Sequence, residues 1–299
     1  TVSRQSLVLR RAIEAGQAIT LDDLTVQRPG TGIPAAQEAR ARWERLCQIR
    51  QDKFDLILPE AMRENDIRMW IVVQKEGHND PLREDLGRGY TGDVGYYIFT
   101  DRGGARIERA AFGVSGRMLT GCSVYDLTGG SLDLRAFVAE RDPRRIGVNM
   151  SERIGAADGL SHTAYLPLVE TLGEPYASRL ASAEKLVSDF RSRRVASEIV
   201  AFGEAADLTR RIWERALSNE VITPGVTALE DVAWWIQDRI LERGLVSAFD
   251  MPSVYITGPD GIEATSNERI IQRGDVVMID GGICHLNFCP DVKRIAYVL

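Results

Sequence analysis

The sequence predicts an α/β protein of two domains. Helix-like and strand-like segments alternate as far as about residue 190. A long helical stretch and a second, capped helix follow. The chain then closes on an apolar run, GDVVMIDGGICHLNFCPDVKRIAYVL, that reads as a hairpin. At 299 residues, 44% hydrophobic and 27% charged, the composition is that of a globular protein with room for two cores.

The first segment, residues 7–33, combines short β-branched runs with Gly16 and the punctuation PGTG, and reads as strands and turns. From 36 to 65 the spacing of Trp43, Leu46, Ile49, Phe54 and Met62 predicts helix, interrupted at Pro59. MWIVVQ at 69–74 is a strand. YYIFT at 96–100 and RIERAAF at 106–112 form a hairpin across Gly103 and Gly104, which permit the positive φ of a tight turn. Residues 144–150 are a further strand, and 161–172 a helix.

In the second half a helix spans 197–219. A second helix starts with Thr227 as cap and Glu230 three residues on, and stops at Gly244. Trp234 and Trp235 on it are expected in a core or interface. SVYITG at 253–258 is a strand leading toward the terminal hairpin.

Charge narrows the partners. Lys and Arg number 37 against 43 Asp and Glu, a net −6 that disfavours nucleic acid and anionic membranes. No apolar stretch approaches the roughly 18 residues of a membrane span, and the opening TVSRQSLVLRR lacks the centre of a secretory signal, so a cytoplasmic location is expected. The four cysteines, Cys47, Cys122, Cys284 and Cys289, are too scattered for a disulfide framework and are expected as thiols, not as a metal pair.

Two carboxylates inside the apolar terminal run require an explanation, since an isolated buried charge costs several kcal/mol or more. A hairpin turn centred between His285 and Leu286 places Asp280 opposite Asp291. Two carboxylates so close repel unless a proton or cation lies between them, and a divalent metal is the natural occupant. The alternative is a different register, with one aspartate serving the loop.

The PGVT-capped helix, the strand, GDVVMIDGG, and the second aspartate followed by KRIAYVL together resemble the first half of the catalytic domain of the M24 metallopeptidases, the pita-bread family of methionine and Xaa-Pro aminopeptidases, prolidase and creatinase. DKFDLILPEAMRENDIRMWIVVQKEGHNDP and IGVNMSERIGAADGLSHTAYLPLVETLG resemble the N-terminal domain of bacterial Xaa-Pro-aminopeptidase-like members. AIEAGQAIT and LDDLTVQRPGTGI resemble part of the SAF, or antifreeze-like, domain of sialic acid synthases, and imply no function. The resemblance implies a SAF-like or linker segment at 1–35, a creatinase-like α/β domain at 36–192, and the front half of a pita-bread domain at 193–299.

By resemblance Asp280 and Asp291 are ligands of a dinuclear centre of two divalent ions, manganese, cobalt or zinc. The family completes that centre with a His and two Glu expected beyond Leu299, so the chain as given holds two of five ligands and is expected to be incomplete and inactive. Where many members carry a His ahead of the first aspartate, GPDGIEATSNER offers Glu263 and none. His285 is expected as a solvated residue at the hairpin tip, and His78 and His162 as structural or exposed. GRGYTGDVG lacks the Lys-Ser/Thr of a phosphate loop.

The implied function is metal-dependent hydrolysis of Xaa-Pro peptide bonds, with a short peptide as substrate and a homodimer as an optional assembly. The alternatives are a non-catalytic pita-bread binding protein and a creatinase-like C–N hydrolase.

Overall fold

The computed structural model describes residues 6–9, 24–27, 35–263 and 266–299. Two compact units divide the chain, residues 43–199 and residues 200–299 with 1–42. Strands β1 (Ser6–Leu9) and β2 (Leu24–Gln27) pair antiparallel. The rest of the SAF-like segment lies outside the described residues.

Helix α1 (Ala35–Asp52) runs through a π-helical turn at Lys53–Ile57 into α2 (Leu58–Glu64). Pro59 interrupts less than expected, because it falls in the first turn of α2, where a missing N–H leaves no intrahelical bond unmade. Strand β3 (Met69–Gln74) is buried at every position, the mark of a strand covered on both faces. After the short α3 (Arg83–Leu86), β4 (Tyr90–Thr100) and β5 (Glu108–Ser115) make the expected hairpin, with Tyr96 opposite Phe112 and Thr100 opposite Glu108.

The unit continues through α4 (Arg117–Thr120), β6 (Leu127–Gly129), α5 (Leu134–Arg141), β7 (Ile146–Val148), α6 (His162–Leu172), β8 (Leu180–Ser182) and α7 (Glu184–Ser192). Asp133 caps α5 by accepting the Ala136 N–H at 2.9 Å. The sheet order is β6-β5-β4-β3-β7-β8, with β7 and β8 parallel to β3. Phe54, Trp70, Phe99 and Phe190 fill one face, and Ile71, Ile98, Phe137 and Leu168 the other.

A polar chain runs through this core. Asn149 accepts the Trp70 indole N–H at 2.8 Å and donates to Asp80 Oδ2 at 2.9 Å, while Asp80 Oδ1 accepts the Leu82 N–H at 2.9 Å. Asp80 is 2% exposed. A Cβ at Gly159 would lie 1.8 Å from Oδ2, so only glycine permits this approach.

Cysteine pairing departs from the sequence reading. Cys47 and Cys122 are disulfide-bonded, and so are Cys284 and Cys289, which leaves no free thiol among the four. Sequence separation misled: folding brings Cys47 and Cys122, 75 residues apart, to a Cα–Cα distance of 5.2 Å, within bonding range.

The second unit begins in α8 (Ala196–Ala216) and contains α9 (Leu229–Leu241), β9 (Val246–Ser247), β10 (Ser253–Gly258), β11 (Gly261–Ile262), β12 (Val276–Gly281), β13 (Ile283–Cys284) and β14 (Val292–Tyr297). Its main sheet runs β11-β10-β12-β14. Ile212 and Trp213 of α8 and Val232, Ile236 and Ile240 of α9 pack with Val254, Ile256, Val277 and Ile279. Among the described residues, no helix is long and apolar enough to cross a membrane.

The cap of α9 is one residue later than the sequence suggested. Ala228 is the N-cap, and Asp231, not Glu230, accepts its N–H at 2.8 Å. The Thr227 hydroxyl is engaged upstream, accepting the Thr223 N–H and donating to the Val221 carbonyl. Of the two tryptophans, Trp235 packs against the core between Arg215 and Arg239, whereas Trp234 is 59% exposed.

Burial pushes the Asp80 carboxyl up from 3.8 to about 6, with the Leu82 and Asn149 hydrogen bonds opposing the rise. The folded state therefore holds this proton more tightly than the unfolded chain, so the contribution is complete below about pH 4 and lost as pH rises through about 6. The stability advantage of wild type over Asp80→Asn should shrink by about 2–3 kcal/mol from pH 4 to pH 7. Urea midpoints of both proteins across that range check it.

Candidate metal-binding face

The candidate site grows from the terminal hairpin. In β12 the side chains of Val277 and Ile279 face the α8 and α9 core, so Met278 and Asp280 face the other side of the sheet. Cross-strand neighbours share a face. Ser253 of β10 and Lys293 of β14 flank Asp280, and Tyr255 and Ile295 flank Met278.

The register corrects the sequence expectation. Asp280 lies opposite Lys293, and Asp291 sits two positions short of that place, just before β14 begins. The turn is centred one residue later than expected, between Leu286 and Asn287, which both take positive φ (51° and 67°). That is the two-residue turn whose twist matches paired strands, and asparagine tolerates it well. His285 pairs with Phe288 around this tip, and the Cys284–Cys289 disulfide closes the next pair of residues.

Close backbone contacts hold the arms of the hairpin. The Gly282 carbonyl accepts the Ala248 N–H at 2.8 Å, and a Cβ on Gly282 would lie 1.6 Å from the Pro290 oxygen. Buried Thr209 of α8 accepts the Ile283 N–H at 3.2 Å, and the Trp213 indole N–H donates to the Val292 carbonyl at 3.2 Å. Helix α8 thus grips both arms beside the aspartates.

Asp280 has two different oxygens. Oδ2 accepts from Lys293 Nζ at 2.6 Å, in a pair whose side chains are 17% and 55% exposed. Oδ1 is buried and accepts no hydrogen bond. An ion pair this exposed is screened by solvent and weak. The Asp280 hydrogen bond raises the Lys293 ammonium above its usual range, and the charges of Asp280 and Asp291 add to the rise. Asp291 is exposed.

No group of three or more His, Cys, Asp and Glu placed to hold a metal occurs among the described residues. A hard divalent cation prefers carboxylate oxygens, and a buried carboxylate oxygen without a donor is a suitable ligand atom. Asp280 fits that role. His285 is not the solvated residue expected; its side chain is 17% exposed and lies 3.9 Å from Glu204. His78 and His162 are exposed, with His78 Nε2 3.2 Å from the Gly159 carbonyl. Glu263 is exposed, just after the edge strand β11.

A cleft of about 530 Å³ opens beside this face, lined by Glu230, Trp234, Phe249, Met251, Ser253 and Tyr255. Ser253, Lys293 and the grip of Thr209 were not read from the sequence.

Residues 201–299 match the sequence profile of metallopeptidase family M24. That part of the chain is of the M24 type. Residues 4–46 match the SAF domain, a longer span than the sequence reading gave it. No curated protein matches the chain by sequence.

Solved structures similar to it include an Xaa-Pro dipeptidase from Bacillus anthracis (TM-score 0.54, 20% identity, covering 84% of this chain and 65% of that one). An X-Pro aminopeptidase from Thermotoga maritima MSB8 gives 0.57, 17%, 80% and 64%. Proline aminopeptidase P II from Yersinia pestis gives 0.57, 13%, 83% and 62%. The chain spans less than two thirds of these proteins. The fold is the implied one, a creatinase-type α/β domain followed by part of a pita-bread domain.

The tight crossing at Gly282 gives a direct check. Gly282→Ala forces a Cβ against backbone atoms of Pro290 that cannot rotate away, and should destabilise by at least about 3 kcal/mol. Thermal unfolding reads it.

Proposed function

We propose that the chain belongs to an Xaa-Pro-type peptidase of family M24, acting on short peptides and using a divalent metal held by Asp280 and Asp291. The single observation that carries this reading is the buried, undonated Oδ1 of Asp280 on the open face of the sheet. The M24 match over residues 201–299 supports the hydrolase class. The domains carrying this function are read as 36–192 and 193–299, preceded by the SAF-like segment at 1–35.

A bound divalent cation supplies Lewis-acid activation of water near neutral pH. This chain's own part is to hold carboxylate charge on a rigid strand. Trp213 and Thr209 fix the two arms that carry the aspartates. Ser253 joins the cleft to the Asp280 row, leaving room for a short peptide beside it. Manganese, cobalt and zinc are the ions proposed.

A second reading, a pita-bread protein that binds without catalysis, is favoured by one observation: Asp280 already has a cation, Lys293, at 2.6 Å. Location follows the sequence expectation of cytoplasm, against which the two disulfides weigh, because such bonds persist mainly in oxidising compartments.

The test is hydrolysis of an Xaa-Pro dipeptide in the presence of Mn²⁺. Activity should be lost with chelator and fall at least about 100-fold in Asp280→Asn. Hydrolysis indifferent to both overturns the peptidase reading, and none under any metal is the outcome of the non-catalytic reading.

A further inference from the structure

We propose that Lys293 is a tethered cation seated where a divalent ion would lie, and that its ammonium sets the metal affinity of the Asp280 site. This inference rests on the reading of Asp280 as a metal ligand.

Register places the lysine there. Lys293 is directly opposite Asp280 in the β12–β14 pairing, so both side chains leave the same face of the sheet. Its Nζ is 2.6 Å from Oδ2. A divalent cation bound to that oxygen would sit at 2.0–2.6 Å. The ammonium and the ion therefore compete for one oxygen and one small volume, and repel each other across it. Arg294, the adjacent basic residue, belongs to the other face, with Ile279 as its strand partner and Glu214 4.0 Å away. Lys293 also feels the charge of Asp291, which puts the ammonium within the field of both motif carboxylates.

Chain flexibility makes the competition reversible. The Lys293 side chain is 55% exposed on a four-carbon stem, so it can swing into water when Oδ2 is taken. Metal binding then carries the cost of breaking an ion pair. The apparent affinity is the intrinsic one multiplied by the fraction of molecules in which the lysine has moved away. Oδ1, buried and without a donor, is untouched by the lysine and stays available to an entering ion. Lys293 thus selects against weakly bound ions while leaving Asp280 neutralised in their absence.

The experiment is calorimetric titration of Mn²⁺ into four forms of the chain at one pH and salt concentration: wild type, Lys293→Met, Lys293→Arg and Lys293→Met with Asp280→Asn. Lys293→Met, which keeps the stem and removes the charge, should bind Mn²⁺ about two- to fivefold more tightly than wild type. Lys293→Arg should stay near wild type, because the charge is kept. Adding Asp280→Asn should erase the gain. Lys293→Gln serves as the neutral form if the methionine variant does not fold, with thermal unfolding as the check. Equal affinity of the neutral variant and wild type, with binding weakened when Asp280→Asn is added to Lys293→Met, refutes the lysine's role and leaves Asp280 a ligand. Absence of Mn²⁺ heat in every form, or binding that Asp280→Asn leaves unchanged, removes the ligand reading and this proposal together.

Discussion

Every feature of the candidate site depends on how the two terminal strands are paired. A slip of one residue would move each β14 side chain to the opposite face of the sheet and take Lys293 away from Asp280. Several constraints agree on the observed pairing: the positive φ values of Leu286 and Asn287, the His285–Phe288 bridge, the Cys284–Cys289 disulfide and the bare Cα of Gly282 beneath Pro290. Leu286 in a left-handed conformation is locally unfavourable by about 1 kcal/mol, and its burial at 8% exposure offsets that.

The two units settle buried carboxylates in different ways. Asp80, inside the N-terminal sheet, receives only neutral donors, and burial retains its proton to about pH 6. Asp280, at the open face of the C-terminal sheet, has a lysine within hydrogen-bonding distance. The difference lies in access: a long basic side chain can reach an open face from water, whereas the Trp70–Asn149–Asp80 chain is closed on all sides. The first arrangement orders a core, and the second leaves a charged surface that a ligand can contest.

Most elements were legible in the sequence, and the reasons are local. MWIVVQ is a strand because its apolar, β-branched run is bounded on both sides by polar residues. The 96–112 hairpin follows from two glycines between alternating segments. Where local signals competed, the reading slipped: Thr227 looks like a cap, but its hydroxyl was bound upstream, which left Asp231 to take the cap N–H. Trp234 and Trp235 look alike in sequence, and only helix phase separates the exposed ring from the packed one. His285 was expected in water at a hairpin tip, yet its side chain is mostly covered and lies near Glu204.

The sequence by itself determined the α/β class, many of the helices and strands, and the presence of two aspartates in an apolar terminal run, because each depends on periodicity and residue type over a few positions. Tertiary structure alone decided that Cys47 meets Cys122, that Thr209 and Trp213 hold the arms of the hairpin, and that Asp280 faces Lys293 instead of Asp291. Those outcomes turn on which backbone atoms approach across long separations, and on a one-residue choice of turn centre that alternation along a strand does not encode.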